Sequence, residues 1–149
     1  MDAKTKELLK PLADLYAKAP VLPTNVKDFL VQAAPWVALI LGVLVLLGSI
    51  GGLGLFTVFS PFAYLYAGAG YTTFLLISAV VGIVGGVILL LAFMPLRKRK
   101  LRGWNLLVWY EVLAVVGSVI SLSVGSVVMA VVVAAIAFYF LFQVEAYYK

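Results

Sequence analysis

Four long apolar runs divide this chain, and nearly all of its charged residues fall between or outside them. Ahead of the first run, "MDAKTKELLKPLADLYAK" places Leu8, Leu12, Leu15 and Tyr16 at helical spacing, with Lys4, Lys6, Lys10, Asp14 and Lys18 elsewhere. That pattern predicts an amphipathic helix lying at a membrane surface. Pro11 is expected to interrupt it or to start its second half, because proline has no N–H to donate. "APVLP" then breaks the chain, and Thr24 or Asn25 offers a cap for a new helix. Val26, Phe29, Leu30 and Ala33 give that helix one apolar face leading to Pro35.

Runs such as "VALILGVLVLLGSI" and "VILLLAFM" do not alternate apolar with polar, which excludes a transmembrane β-barrel. They predict helical spans at about 36–56, 71–94, 103–122 and 126–144, each near the length needed to cross about 30 Å of hydrocarbon. Gly48, Gly51, Gly52 and Gly54 loosen the far end of the first span, and the uncharged "FSPFAYLYAGAG" after it is expected to form an aromatic loop at the interface. Pro95 is expected to stop the second span, and a short turn near "SVGS" joins the third to the fourth. The expected fold is therefore an all-α integral membrane bundle of four transmembrane helices. An amphipathic interfacial segment over about 1–33 precedes a membrane domain over about 34–149.

Charge orients this bundle. Arg97, Lys98, Arg99, Lys100 and Arg102 occupy the short link between spans two and three, and short loops rich in Lys and Arg stay cytoplasmic. With that link inside, four spans put both termini inside, where the remaining lysines also fall, and neither external loop carries a charge. The expected location is the inner cell membrane, multi-pass, with anionic lipid head groups meeting the basic link. Trp36, Trp104, Trp109, Tyr71, Tyr147 and Tyr148 fall near span ends, as an interfacial aromatic belt does, with Tyr64 and Tyr66 serving the outer face. Charges continue to Asp28 before the first run begins, so the opening does not read as a secretory signal.

Composition narrows the chemistry. The 149 residues are 65% hydrophobic and 11% charged, against about a quarter charged in a soluble domain. Cysteine and histidine are absent, which excludes thiol chemistry, serine–histidine and cysteine–histidine catalysis, and histidine-ligated haem. With six acids in the whole chain, no metal site and no cofactor is expected. The basic run lacks interleaved aromatics, so nucleic acid is not an expected partner. "GSIGGLG" lies inside a lipid-spanning run with no strand before it, and is not a dinucleotide fingerprint.

Four features are candidates for function. Ser78, Gly82 and Gly86 form a small-residue ladder on span two, with Gly48 and Gly52 facing it from span one, for close helix packing or a homo-oligomer seam. Ser118, Ser121, Ser123 and Ser126 line a polar vestibule or bond back to helix carbonyls. "FQVEAYYK" anchors the tail at the interface or joins the N-terminal helix in a docking surface. Glu111 lies about 12 Å below the cytoplasmic boundary, roughly level with Gly42, Ile88 and Tyr139. An ionised carboxylate at that depth is costly, and such residues mark ion or proton pathways when they do not bridge helices as glue. Tyr139 is the expected hydrogen-bond partner, the Gly42 gap leaves room for water, and no intramembrane Lys or Arg is present to pair with it. A shallower position for Glu111, beside Trp109 and Tyr110 at the interface, fits the sequence as well.

The tail "GWNLLVWYEVLAVV…AAIAFYFLFQVEAYYK" resembles small bacterial four-span proteins over at most the last third of the chain, through hydrophobic and aromatic residues that transfer no role. Small multidrug transporters share four spans and one membrane glutamate, but theirs lies in the first span and Glu111 lies in the third, so that family is not assigned. A solitary carboxylate lacks the second group that acid–base catalysis needs. The expected function is that of a non-enzymatic structural, assembly or accessory subunit, or a subunit of a larger membrane complex or homo-oligomer. The alternative is a small oligomeric proton- or cation-coupled transporter or channel using Glu111.

Overall fold

A computed structural model describes residues 3–120 and 124–149, and among these every regular element is helical. The order is α1 (Ala3–Tyr16), α2 (Thr24–Arg97), α3 (Leu101–Ile120), α4 (Val124–Val144) and a final 3₁₀ turn, Glu145–Tyr147. Four stretches are long and apolar enough to cross a membrane: Thr24–Phe62, Leu75–Arg97, Leu101–Ile120 and Gly125–Tyr147. That is the organisation of a multi-pass helical membrane protein. Ser121 and Ser123 lie outside the described residues, as do the side chains of Leu8, Tyr64, Tyr66 and Tyr71.

α2 holds two spans in one run of helical backbone. Straight, its 74 residues would reach about 111 Å, and Gly42 and Gly86 would be about 66 Å apart. Instead a methyl group on Gly86 would lie 3.1 Å from the Gly42 carbonyl oxygen, so the helix folds back on itself. The reversal lies between Phe56 and Leu75, which line one cavity. The loop expected over 59–70 is thus helical. A helix satisfies its backbone N–H and C=O groups internally, which suits an uncharged apolar segment between two spans. Pro61 removes the donor for the Thr57 carbonyl, and the Ser60 hydroxyl donates to that oxygen at 3.4 Å. Thr57 Oγ1 likewise donates to Gly54 O at 2.7 Å, and such back-bonding favours bending.

Two other prolines fail to stop their helices. α1 continues through Pro11, and α2 runs two residues past Pro95. What ends α2 is Arg99, at φ 50, a left-handed turn residue that lets the Lys100 N–H return to the Pro95 carbonyl at 2.8 Å.

α3 packs between α2 and α4. Its start is pressed against the end of α2: a methyl on Gly103 would lie 2.7 Å from the Leu96 nitrogen, so only glycine permits this approach. The buried cluster includes Val31, Ala38, Leu89, Ala92, Leu96, Trp104, Val108, Phe138 and Tyr148. These residues gather towards the end that carries the Arg97–Arg102 link, the basic end. No described residue between 43 and 84, or between 109 and 133, is buried. Trp104, placed in an interfacial belt by its position in the sequence, is 0% exposed, and its Nε1–H donates to Leu141 O at 2.8 Å. Tyr148 is also inside, at 5% exposed, rather than anchoring the tail at a surface.

Candidate functional site around Glu111

Glu111 sits on the face of α3 that also carries Leu107, one turn earlier, and both line a groove of about 210 Å³ between the first span of α2 and α4. Small residues leave the groove open: Ala33, Ala34 and Ala38 on α2, and Ala137 on α4. Phe140 and Leu141 wall the α4 side, Val37 and Leu41 the α2 side, and Leu89 its base. The neighbours at Glu111's level on α2 and α4 are close to those the register predicts. Among the described residues, no hydrogen bond reaches its carboxylate.

The expected Tyr139 pairing is absent, because the Tyr139 hydroxyl donates to Pro20 O at 2.7 Å. The Gly42 gap is absent too. A methyl there would lie 3.1 Å from Leu89 Cβ and Leu90 Cδ2, so leucine side chains fill the space expected to hold water.

Of the small residues expected to pack helices, Gly82 faces Ser49 so closely that a methyl group would collide with its hydroxyl, and Gly86 lies against Leu46 and Gly42. Gly48 and Gly52 have nothing within 4 Å of where a side chain would start. They line a far-end cavity of about 360 Å³ with Ser49, Phe56, Leu75 and Ser78. A third cavity, of about 290 Å³, is lined by Ser78, Gly82, Gly117, Ser118 and Ser126. Tyr110 borders both this cavity and the Glu111 groove, and its ring packs flush on Gly85. Ser49 and Ser118 donate to Val45 O and Val115 O, both at 2.7 Å, so these two hydroxyls are bonded to their own helices.

Comparison with known proteins places no family on this chain: no family model matches, and neither a curated protein nor a solved structure matches significantly.

Arg97, Lys98, Arg99, Lys100 and Arg102 are all exposed. The Arg97 guanidinium lies over Trp36 and Phe93, 5.8 and 5.6 Å from the ring centroids, which holds one cation of the group against the first hairpin. The tail folds over this link: Lys149 N–H donates to Arg99 O and Leu101 N–H to Lys149 O, each at 3.0 Å. Tyr147 hydrogen-bonds to Asp28. Burial pushes the Tyr148 hydroxyl above the usual tyrosine pKa, and nearby Arg99 opposes that shift.

The N-terminal segment is tied to α4 as well. Tyr16 donates to Ala135 O at 2.9 Å and stacks on Phe142 at 5.6 Å. Gln143 accepts from Leu22 N–H at 3.4 Å and donates to Pro20 O at 3.3 Å. Sequence reasoning missed the roles of Tyr16, Gly85, Gly103 and Trp104. The adjacent Gly103 and Trp104 beside a charged turn were the available signal, since a small and a large residue together suit a tight helix crossing.

Proposed function

We propose that this chain is a non-enzymatic integral membrane protein that acts as a structural, assembly or accessory subunit. It works through helix packing and through a basic cytoplasmic surface that meets anionic lipid. In this reading it resides in the inner cell membrane with both termini inside, α1 lies along the inner interface, and no catalysis occurs. The supporting observation is how the polar side chains at the basic end are used. Tyr16 and Trp104 each bond a backbone carbonyl of α4, and Tyr139 and Gln143 both bond Pro20 O in the link between α1 and α2, so they tie segments of the fold together instead of converging on a reactive centre. Native mass spectrometry of the chain extracted with its surrounding lipid tests the reading. A defined homo- or hetero-complex is expected, and a strictly monomeric chain without any partner contradicts it.

The groove favours one alternative, a small oligomeric proton- or cation-coupled transporter or channel using Glu111. Flux of protons or cations in liposomes, lost in Glu111→Gln, would establish it. Equal flux with and without the carboxylate eliminates it.

A further inference from the structure

We infer that the Glu111 groove is a binding site for a small lipophilic monocation, an aryl- or alkylammonium whose charge pairs with the Glu111 carboxylate. Among the described residues, Glu111 is the only charged one lining the groove. No Lys or Arg among the described residues lines the groove to neutralise it. A second copy would bring only a second carboxylate, whereas a cation from outside the chain would supply the complementary charge.

The walls choose among cations. A hard metal ion takes several oxygen ligands, and the lining of the groove offers a single carboxylate. An onium ion has no such requirement and gains from apolar walls that include the aromatic residues Phe140 and Tyr110. At about 210 Å³ the groove is smaller than the about 300–1,000 Å³ of sites for drug-sized ligands, so the ligand is compact. Exposed Val37, Leu41 and Phe140 on its rim open it sideways, towards the apolar phase where such a molecule partitions. A neutral molecule or lipid tail would fill the walls and leave the carboxylate without a partner. Binding is a property of the groove itself, and it holds whether the chain is an accessory subunit or a transporter.

The test uses the full chain in lipid nanodiscs, with benzyltrimethylammonium as probe and its uncharged isostere neopentylbenzene as comparison. Saturable binding of the cation is expected, weakened about tenfold or more in Glu111→Gln, while the neutral isostere binds both proteins alike. Ala137→Leu keeps the carboxylate and fills the groove, and it too should abolish saturable binding of the cation. The inference is overturned if Glu111→Gln binds the cation as the original chain does, if neopentylbenzene loses affinity in parallel, or if the folded original chain shows no saturable binding. It is also overturned if Ala137→Leu, still folded, binds unchanged. None of these results bears on whether the chain assembles with partners, which native mass spectrometry reads separately.

Discussion

The two ends of the same helices are built differently. At the basic end the start of α3 is wedged against the end of α2 at Gly103, Trp104 is sealed inside, and Lys149 is hydrogen-bonded to Arg99 and Leu101. At the far end Gly48 and Gly52 face open space, and the serines line cavities. The far end is the more apolar of the two, since the charges gather at the basic end, so hydrophobicity does not explain the tighter packing. In lipid, burying one more leucine gains little, and what holds helices together is close fit and hydrogen bonds that lipid cannot supply. The basic end has both. At the far end Gly48 and Gly52 have no surface pressed against them, and a close contact there is Gly117 on Val81.

The sharpest way to break this contrast is to empty the basic end. Trp104→Ala removes a fully enclosed ring and the indole bond to Leu141 O, and is expected to cost about 3–5 kcal/mol in a reversible unfolding assay in bicelles. A loss below about 1 kcal/mol would mean that the packed end is not what stabilises the fold.

Next comes one substitution made in two places. Gly86→Ala puts a methyl 3.0 Å from the Leu46 backbone nitrogen, and is expected to destabilise by about 1–3 kcal/mol. Gly48→Ala meets nothing within 4 Å, and is expected to stabilise by about 0.5–1 kcal/mol through helix propensity alone. The same assay reads both, and equal signs would erase the difference between a glycine packed on a neighbour and one facing open space.

A smaller effect is expected from Tyr16→Phe, which deletes the hydroxyl bonded to Ala135 O while keeping the ring on Phe142. A loss of about 0.5–1.5 kcal/mol follows for one such hydrogen bond. Orientation, which concerns the membrane rather than the fold, is tested by labelling. Lys100→Cys should react only from the cytoplasmic side and Gly68→Cys only from outside, and the reverse pattern would invert the proposed topology.

The sequence was most legible where its signal was one-dimensional. Each span needs only an uninterrupted apolar run, and the four runs correspond to four span-length helical stretches. Proline misled twice, at Pro11 and Pro95, because a proline costs a helix one hydrogen bond without having to end it, and the helical backbone continues through both. Glycine was legible as a type but not by position. Gly48 and Gly86 look alike along the chain, and only the fold-back of α2 decides which one meets a neighbour.

At the candidate site, counting from the span ends set Glu111 level with Gly42, Ile88 and Tyr139, each one residue from the Leu41, Leu89 and Phe140 that line its groove. The loss of Tyr139 as its partner could not be counted in that way, because Pro20, 119 residues earlier, returns along α4 to take that hydroxyl. Trp104 misled for a related reason. Beside charged residues in sequence it resembles a belt tryptophan, yet the tail and α4 cover the position.

The most direct test of the contrast between the ends uses the absence of native cysteine, which makes paired spin labels specific. Labels at Asn25 and Arg102 report on the basic end, and labels at Leu55 and Ser126 report on the far end, all four being exposed positions. In nanodiscs the first pair is expected to give a narrow distance distribution and the second a broad one, because few buried contacts restrain the far end. Equally narrow distributions at both ends, or a broad one at the basic end, would contradict the account.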